Sequence, residues 1–380
     1  MRPSSLTRRH LLALGAAAIA APLLPARAAD RPVVGAIRWD AWYAPDSAVT
    51  QAVARSLAPP QYRWRRPFFA AEQPGEALRM PALSQGLIDL EITQARYAGL
   101  DYWAFVAYPS ASPMAAPLRH YLASARRGPL RFCTFTELSA WGRREAPSPL
   151  PEEHIALMRH DAWQRVGNGR PLYYLGFVSA PLAQQHWGGR DGLRDAIAGF
   201  RRRAIAAGAG DPYLVVAVTP RDDTEFAASL GADAVGAYAI ADGHARGSYA
   251  DLVRTAEDGW QRLARAGLPV VPTVMAGWDR RPRIEHPVPW ERQRPGVGLD
   301  AHYGTADPAG LQAHLRQAIS YAQAQPGGRT APAVLIYAWN ENDEGGWLLP
   351  TVPCDESRLT ALHATLRAEA AEAAPGCALP

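Results

Sequence analysis

The sequence predicts an α/β fold, a single (β/α)8 TIM barrel with long β1α1 and β7α7 loops. Three observations predict it. Eight short, nearly continuously apolar runs recur along the chain, as expected of parallel strands covered on both faces. Segments with helical spacing alternate with them, and eight such units over about 350 residues are what a closed barrel requires. The first strand is followed by "WDAWYAPD", with no glycine-rich phosphate turn of the kind a doubly wound sheet usually carries.

The strands read as Val33–Trp39, Tyr102–Tyr108, Arg131–Thr136, Leu172–Phe177, Tyr213–Thr219, Ala234–Ile240, Val270–Met275 and Ala333–Ala338. Between them, Ile88, Ile92, Ala95 and Gly99 recur at helical spacing, as do Leu252, Ala256, Trp260 and Leu263. Ser248 and Asp307 read as N-caps, the latter with Pro308 at the first helical position. Several helices run through glycine into the next strand, as in "YAGLDYWAF" and "RAGLPVVPT", the signature of a left-handed cap. Leu359, Leu362 and Leu366 mark a last helix. The segments from Ala44 to Gly86 and after strand seven read as long loops that shape specificity.

Residues 1–28 read as an export signal, with Arg8-Arg9 before an apolar stretch from Leu11 to Leu24 and a cleavage pattern at Ala26-Arg27-Ala28. The arginine pair points to twin-arginine export, and the run is short and alanine-rich for a membrane anchor. Residues 30–380 then form one catalytic domain, periplasmic or secreted, with no stable membrane insertion. The leader carries four arginines and no acid, so the formal +4 falls to zero in the mature chain. The basic balance is therefore no argument for nucleic acid or membrane partners. Every basic residue is arginine, which excludes Schiff-base, pyridoxal phosphate and Walker-type chemistry, each dependent on a lysine amine.

Of the three cysteines, Cys133 lies in an apolar strand and reads as a buried thiol. Cys354 and Cys377 flank the last helix and are placed either to bond in an oxidising compartment or to stay free. No cysteine pair has metal spacing, and the ten histidines form no HxH or HExxH, so neither a metal nor a cofactor is expected. His286, in the proline-rich stretch after strand seven, reads either as a groove residue or as an exposed loop residue.

Active groups of such barrels gather at the C-terminal ends of the strands. Taken strand by strand, that rule collects Trp39, Asp40 and Tyr43 after strand one, Tyr108 after strand two and Glu137 after strand three. It adds Trp278 and Asp279 with Arg280, Arg281 and Arg283 after strand seven, and Trp339, Asn340, Glu341 and Glu344 after strand eight. Sugar rings suit this mixture, because their C–H faces pack on indole and phenol rings while their hydroxyls seek carboxylates, amides and guanidinium groups. Trp39, Trp278 and Trp339 read as pocket walls; Trp103, Trp163 and Trp260 read as core. Glycosidic cleavage usually needs one protonated carboxyl and one carboxylate. Glu341 and Glu344 have the spacing to face one cavity if the backbone curls after the strand, and close carboxylates raise one another's pKa. By itself ExxE is a weak signal, common in solvated loops; its setting between a buried strand and Gly345-Gly346 gives it weight.

"AWNENDEGGWLLPT" resembles the Trp-Asn-Glu-x-x-Glu-Gly signature of glycoside hydrolase family 99 and the related family 71/99-like proteins, which include endo-α-mannosidases and bacterial polysaccharide-associated proteins. "GAIRWDAWY", "IDLEITQARYAGLDYWAFVAY", "QRVGNGRPLYYL" and "AGWDRRPR" resemble the family in the same order, so the likeness spans most of the mature chain. It implies a (β/α)8 barrel and a retaining glycosidase that passes through an epoxide-like sugar intermediate. By position, Glu341 would be the base on the sugar 2-hydroxyl and Glu344 the acid/base. Asn342 stands where the family usually has an aromatic residue, followed by Asp343, so the nearest sugar subsite differs and mannose is not implied. The expectation is an exported, endo-acting retaining glycoside hydrolase on a polysaccharide or oligosaccharide. The alternative is a non-catalytic glycan-binding barrel in polysaccharide export or processing.

Overall fold

The computed structural model describes residues 31–75, 77–219, 224–243, 246–293, 295–367 and 373–378. The export signal read at residues 1–28 lies outside them.

Eight parallel strands form the barrel: β1 (Val33–Arg38), β2 (Tyr102–Val106), β3 (Arg131–Glu137), β4 (Arg170–Gly176), β5 (Tyr213–Ala217), β6 (Ala234–Gly236), β7 (Thr273–Met275) and β8 (Ala333–Tyr337). They run in the order β6-β5-β4-β3-β2-β1-β8-β7. A parallel bridge between Val235 and Val270 closes the ring. Val235 N donates to the Pro269 carbonyl and Val271 N to the Val235 carbonyl, each at 2.9 Å. Strands six and seven are therefore shorter than their apolar runs suggest: Val270 and Val271 make the closing contact rather than regular ladder.

Tyrosines fill the interior. The Tyr102 hydroxyl lies 2.7 Å from that of Tyr174 and donates to the Val334 carbonyl at 3.0 Å, spanning from β2 to β4 and β8 across the inside of the ring. Gly35 makes room for this ring, since a Cβ there would sit 2.3 Å from a Tyr102 ring carbon.

Helices cover the outside, among them α1 (Ala48–Leu57), α2 (Gln85–Ala98), α3 (Ala116–Ala123), α4 (Leu150–Leu157), α5 (Ala180–Trp187), α6 (Arg190–Ala206), α7 (Thr224–Ala228), α8 (Tyr249–Leu263), α9 (Arg281–Glu285), α10 (Pro308–Gln323) and α11 (Ser357–Leu366). Ser248 closes a capping box with Asp251, and Asp307 caps α10 through the Gly310 amide at 2.9 Å. Gly99 ends α2 with φ of 85°, the left-handed cap that returns the chain to β2.

The segment from Ala44 to Gly86 is a correction to the sequence reading. It is not an open loop: it contains α1, a 3₁₀ turn (Pro60–Arg65) and a small ribbon pairing Ala71–Gln73 with Ala77–Arg79. Trp103, Trp163 and Trp260 are buried core, as their helical and strand positions predict. Cys354 and Cys377 are bonded, with Cα atoms 5.8 Å apart, and Cys133 is buried and free.

Candidate active site

The chain leaving β8 folds into a compact turn rather than a solvated loop. Asn340–Glu341 pairs antiparallel with Gly346–Trp347, and a 3₁₀ turn spans Asn342–Glu344 between them. Gly345 closes it at φ of 91°, where a Cβ would come within 2.4 Å of the Asp279 nitrogen. That nitrogen donates to the Glu344 carbonyl at 2.7 Å, locking the turn to the loop after β7. From the opposite side, Asn342 Nδ2 donates to the Arg65 carbonyl at 2.8 Å.

Glu341 and Glu344 consequently emerge buried and together, only 3% and 8% exposed. Both line a cavity of about 450 Å³ with Trp39, Tyr108, Glu137, Phe177, Tyr238, Arg283, Trp290 and Glu291. Most of these residues follow the C-terminal ends of barrel strands, and Arg283, Trp290 and Glu291 come from the loop after β7.

The two carboxyls have different surroundings. Glu341 accepts a hydrogen bond from the Tyr238 hydroxyl, and its other oxygen lies 3.7 Å from Arg283 Nη2. Burial, with the nearby charge of Glu344, pushes its pKa up to about 8, against a weaker downward pull from Arg283. Glu344 accepts from Arg283 Nη1 and from the Tyr337 hydroxyl, and Arg280 Nε lies 3.4 Å away. Burial pushes it upward too, but Arg283, Arg280 and the Tyr337 hydrogen bond outweigh that and hold it below its usual range.

Aromatic rings wall the cavity. Trp39 meets Trp290 edge-on at 5.7 Å, and its indole N–H donates to the Tyr108 hydroxyl at 2.7 Å. The Arg283 guanidinium lies 5.1 Å from the Trp39 ring centroid. Phe177 and Trp290 are 49% and 43% exposed, unusual for large apolar side chains.

No protein-family model matches the chain, and no curated protein matches it in sequence. Among solved structures it is similar to the GH99 endo-alpha-mannosidase from Bacteroides thetaiotaomicron at TM-score 0.51 and 15% identity, covering 88% of this chain and 96% of that one. A second structure of that protein, in complex with bis-tris-propane, gives TM-score 0.54 and 15% identity over 88% and 94% of the two chains. The fold is GH99-like.

Within this GH99-like barrel, the residues singled out in the sequence divide into two layers. Glu341, Glu344, Trp39, Tyr108 and Glu137 line the cavity. Trp278 sits one step aside, packed on Tyr337 at 5.7 Å and lining a small adjoining pocket with Arg280 and Glu291. Asp40, Tyr43, Trp339 and Asn340 are placed behind the wall instead of in it, a correction to the expectation that they contact ligand. Their partners explain why. Glu91, reaching in from α2, accepts from Arg38 Nη1 at 2.6 Å, the Tyr43 hydroxyl at 2.8 Å and Trp339 Nε1 at 2.9 Å. Asp40 accepts from Arg38 Nε at 2.8 Å, and burial lifts its pKa to about 7 against the pull of that arginine. Asn340 accepts from the Trp39 amide at 2.8 Å, and its carbonyl takes the Trp42 indole N–H at 2.7 Å.

Asp279 is likewise committed, to Arg65 at 3.0 Å and Arg281 at 2.7 Å. Burial works against its charge, yet these arginines hold its pKa below the usual value.

Four aromatic or charged cavity residues escaped the sequence reading, Phe177, Tyr238, Trp290 and Glu291, along with the apolar Val49, Val106 and Met114. Tyr238 was hidden because the apolar run read as strand six extends to Ile240, whereas β6 ends at Gly236 and leaves Tyr238 just past the strand end.

Proposed function

We propose that the chain is a retaining glycoside hydrolase, exported and endo-acting on a bacterial polysaccharide, with Glu341 and Glu344 as its catalytic pair. The observation that carries this reading is the pair itself: two buried carboxyls in one aromatic-walled cavity, their pKa values pushed in opposite directions. Such a split supplies a proton donor and a proton acceptor at one pH, which glycosidic cleavage requires. The ring-lined walls suit sugar C–H faces, and the cavity is larger than a single catalytic pair needs. The GH99-like barrel supports the reaction class by analogy of fold.

One carboxyl of the pair gives its proton to the leaving oxygen as the bond from C1 breaks, and the electron pair stays with that oxygen. The other takes the proton of the sugar 2-hydroxyl, whose oxygen bonds to C1 to give the epoxide-like intermediate. Water then attacks C1 and passes a proton to the first carboxylate. The O2–C1 bond opens and O2 recovers its proton from the second. Two inversions leave the configuration retained.

Export is supported by the leader sequence and by the Cys354–Cys377 disulfide, a bond characteristic of oxidising compartments. Among the described residues, no helix is long and apolar enough to cross a membrane.

The deciding experiment incubates the mature protein with bacterial exopolysaccharides, including those of the producing strain, and looks for released oligosaccharides. Release that disappears in Glu344→Gln while glycan binding persists is the expected result. Binding without cleavage by the wild type refutes the hydrolase reading in favour of a glycan-binding barrel.

A further inference from the structure

The catalytic cavity is unevenly lined. Glu341, Glu344, Glu291 and Arg283 come from the turn after β8 and the loop after β7, whereas Val49, Val106 and Met114 present aliphatic side chains. Sugar hydroxyls gain nothing from such a surface, because it offers no hydrogen bond in exchange for the water they lose. Two of these three, Val106 and Met114, also line a second space of about 140 Å³, and so does Tyr108. The shared residues all stand at or beyond the C-terminal end of β2, Met114 on a single 3₁₀ turn (Pro113–Ala115).

This annex lies outside the barrel wall, between α3 and α4. Leu118 and Leu122 line it from α3, Leu150 and Leu157 from α4, and Phe105 from β2. Leu118, Leu122 and Leu157 stay only half-buried, leucines at a gap that the core does not fill. Charge keeps to the edge: Arg119 is exposed and donates to the Ser110 carbonyl at 2.7 Å, and Glu153 is half-buried. His154, in the buried part of the lining, is held neutral by burial, which lowers its pKa to about 3. In volume the annex is close to an apolar cavity of about 150 Å³ that stays dry and takes up benzene, so it suits an occupant of about six carbons.

The residues between the two spaces suit an ester. The Tyr108 hydroxyl accepts the Trp39 indole N–H at 2.7 Å and, among the described residues, donates its own proton to none, which leaves a donor for a ligand carbonyl. Met114 is unbranched and flexible, a side chain that can repack around a passing chain. We propose that the annex is an acyl subsite: the glycan held in the catalytic cavity carries ester-linked acyl chains of about six carbons, and one of them passes Met114 with its carbonyl at Tyr108 and its tail between α3 and α4. This deepens the glycan reading of the cavity and rests on it for the sugar part; the affinity of the annex for an alkyl chain stands without it.

The first test needs no sugar. Beyond Met1 the chain has four methionines, Met80, Met114, Met158 and Met275, so the full mature protein labelled with carbon-13 at the methionine methyls gives a sparse spectrum. Titration with hexan-1-ol should shift the Met114 methyl saturably and leave Met80 and Met275 unmoved. Binding should tighten about fourfold per methylene from butan-1-ol to hexan-1-ol. Leu122→Trp and Leu157→Phe fill the annex from opposite helices, so one serves if the other does not fold; either should weaken hexan-1-ol by about tenfold or more. A Met114 methyl that does not respond, or a response that survives both fillings, overturns the subsite. The second test compares the producing strain's exopolysaccharide after mild alkaline de-esterification with the same polymer lightly O-hexanoylated. The hexanoylated form should bind about tenfold tighter, and the gap should close in Leu122→Trp. Equal binding, or a gap that persists in the filled variant, overturns the acyl assignment. Both tests read binding alone, so their failure leaves the hydrolase reading intact, which falls only if no glycan is cut.

Discussion

Arg283 and Asp343 meet fork to fork: Nε donates to Oδ2 at 2.8 Å and Nη2 to Oδ1 at 3.2 Å, with both side chains out of solvent. A pair this well buried loses several kcal/mol when one partner is removed, because the other is left as an uncompensated charge. It ties the short helix α9 to the strand-eight turn, and so joins the two loops that supply most of the polar cavity lining.

The pH profile of cleavage should be bell-shaped. Turnover needs the pair to hold one proton, so it falls as pH rises through about 8, where Glu341 gives its proton up. A second proton on the pair also stops turnover, and since Glu344 sits below the usual glutamate range, the acid limb should lie below that range. Initial rates on a cleaved glycan across the pH range check both limbs. A single limb near the ordinary glutamate value contradicts the split.

Phe177 should matter to binding and not to folding. It packs on Phe135 and Tyr238 yet stays half exposed in the cavity, at φ of 54° where residues with a Cβ are disfavoured. Phe177→Gly relieves the backbone and removes the ring. Glycan affinity should fall about tenfold, ~1.4 kcal/mol, with the melting temperature unchanged or higher. Calorimetric titration beside thermal denaturation separates these, and a loss of melting temperature would show the ring to be structural.

Glu91→Gln should destabilise the protein by about 1.5–3 kcal/mol in denaturant titrations, because it removes one of two carboxylates from buried Arg38. Arg38 would keep Asp40 as its remaining carboxylate. Glu137→Gln, at an exposed position beside Ser139, should change stability by less than about 0.5 kcal/mol.

Polyuronates should be poor ligands. Glu137, Glu291 and Glu344 face the cavity against Arg283, whose charge is already spent on Asp343 and Glu344. Neutral or amino-bearing glycans avoid that repulsion. Parallel binding assays on neutral, amino and uronate polymers at low salt would show the ranking, and tight uronate binding would refute it.

His154 gives a stability test with a defined sign. It is buried neutral against Tyr173 at 3.1 Å, and burial lowers its pKa from 6.5 to about 3. Its stabilising contribution is thus complete above pH 6.5 and is lost as pH falls toward 3, because the unfolded chain takes up a proton that the native one refuses. The destabilisation caused by His154→Gln should therefore be largest near pH 8 and shrink steadily on acidification. A constant difference would mean that the histidine takes up its proton equally in the native and unfolded states.

The eight strands were legible because parallel strands buried on both faces write themselves as continuous apolar runs. Ser248 and Asp307 were legible because capping is local chemistry. The strand-eight glutamates stood out for a related reason, since a buried strand followed by acids and glycines has few structural uses. What lay one layer deeper did not show. Trp339 and Asn340 follow the same strand end as Glu341, but Trp339 turns to a carboxylate 248 residues earlier in the chain, and no local pattern records that distance. Arg283 was visible only as one of three arginines, because its importance comes from Asp343, reached through the folded backbone.

The ring of strands closes between β6 and β7 through two amide hydrogen bonds on Val235, from its own N–H to Pro269 and to its carbonyl from Val271, which stands before the three-residue β7. Sub-global opening follows the thinnest ladder, so these amides should exchange with deuterium sooner than those of the four-residue β1–β8 register. Tyr238 rides just beyond that join, and so the phenol that touches Glu341 is hung on the least protected staves of the cask.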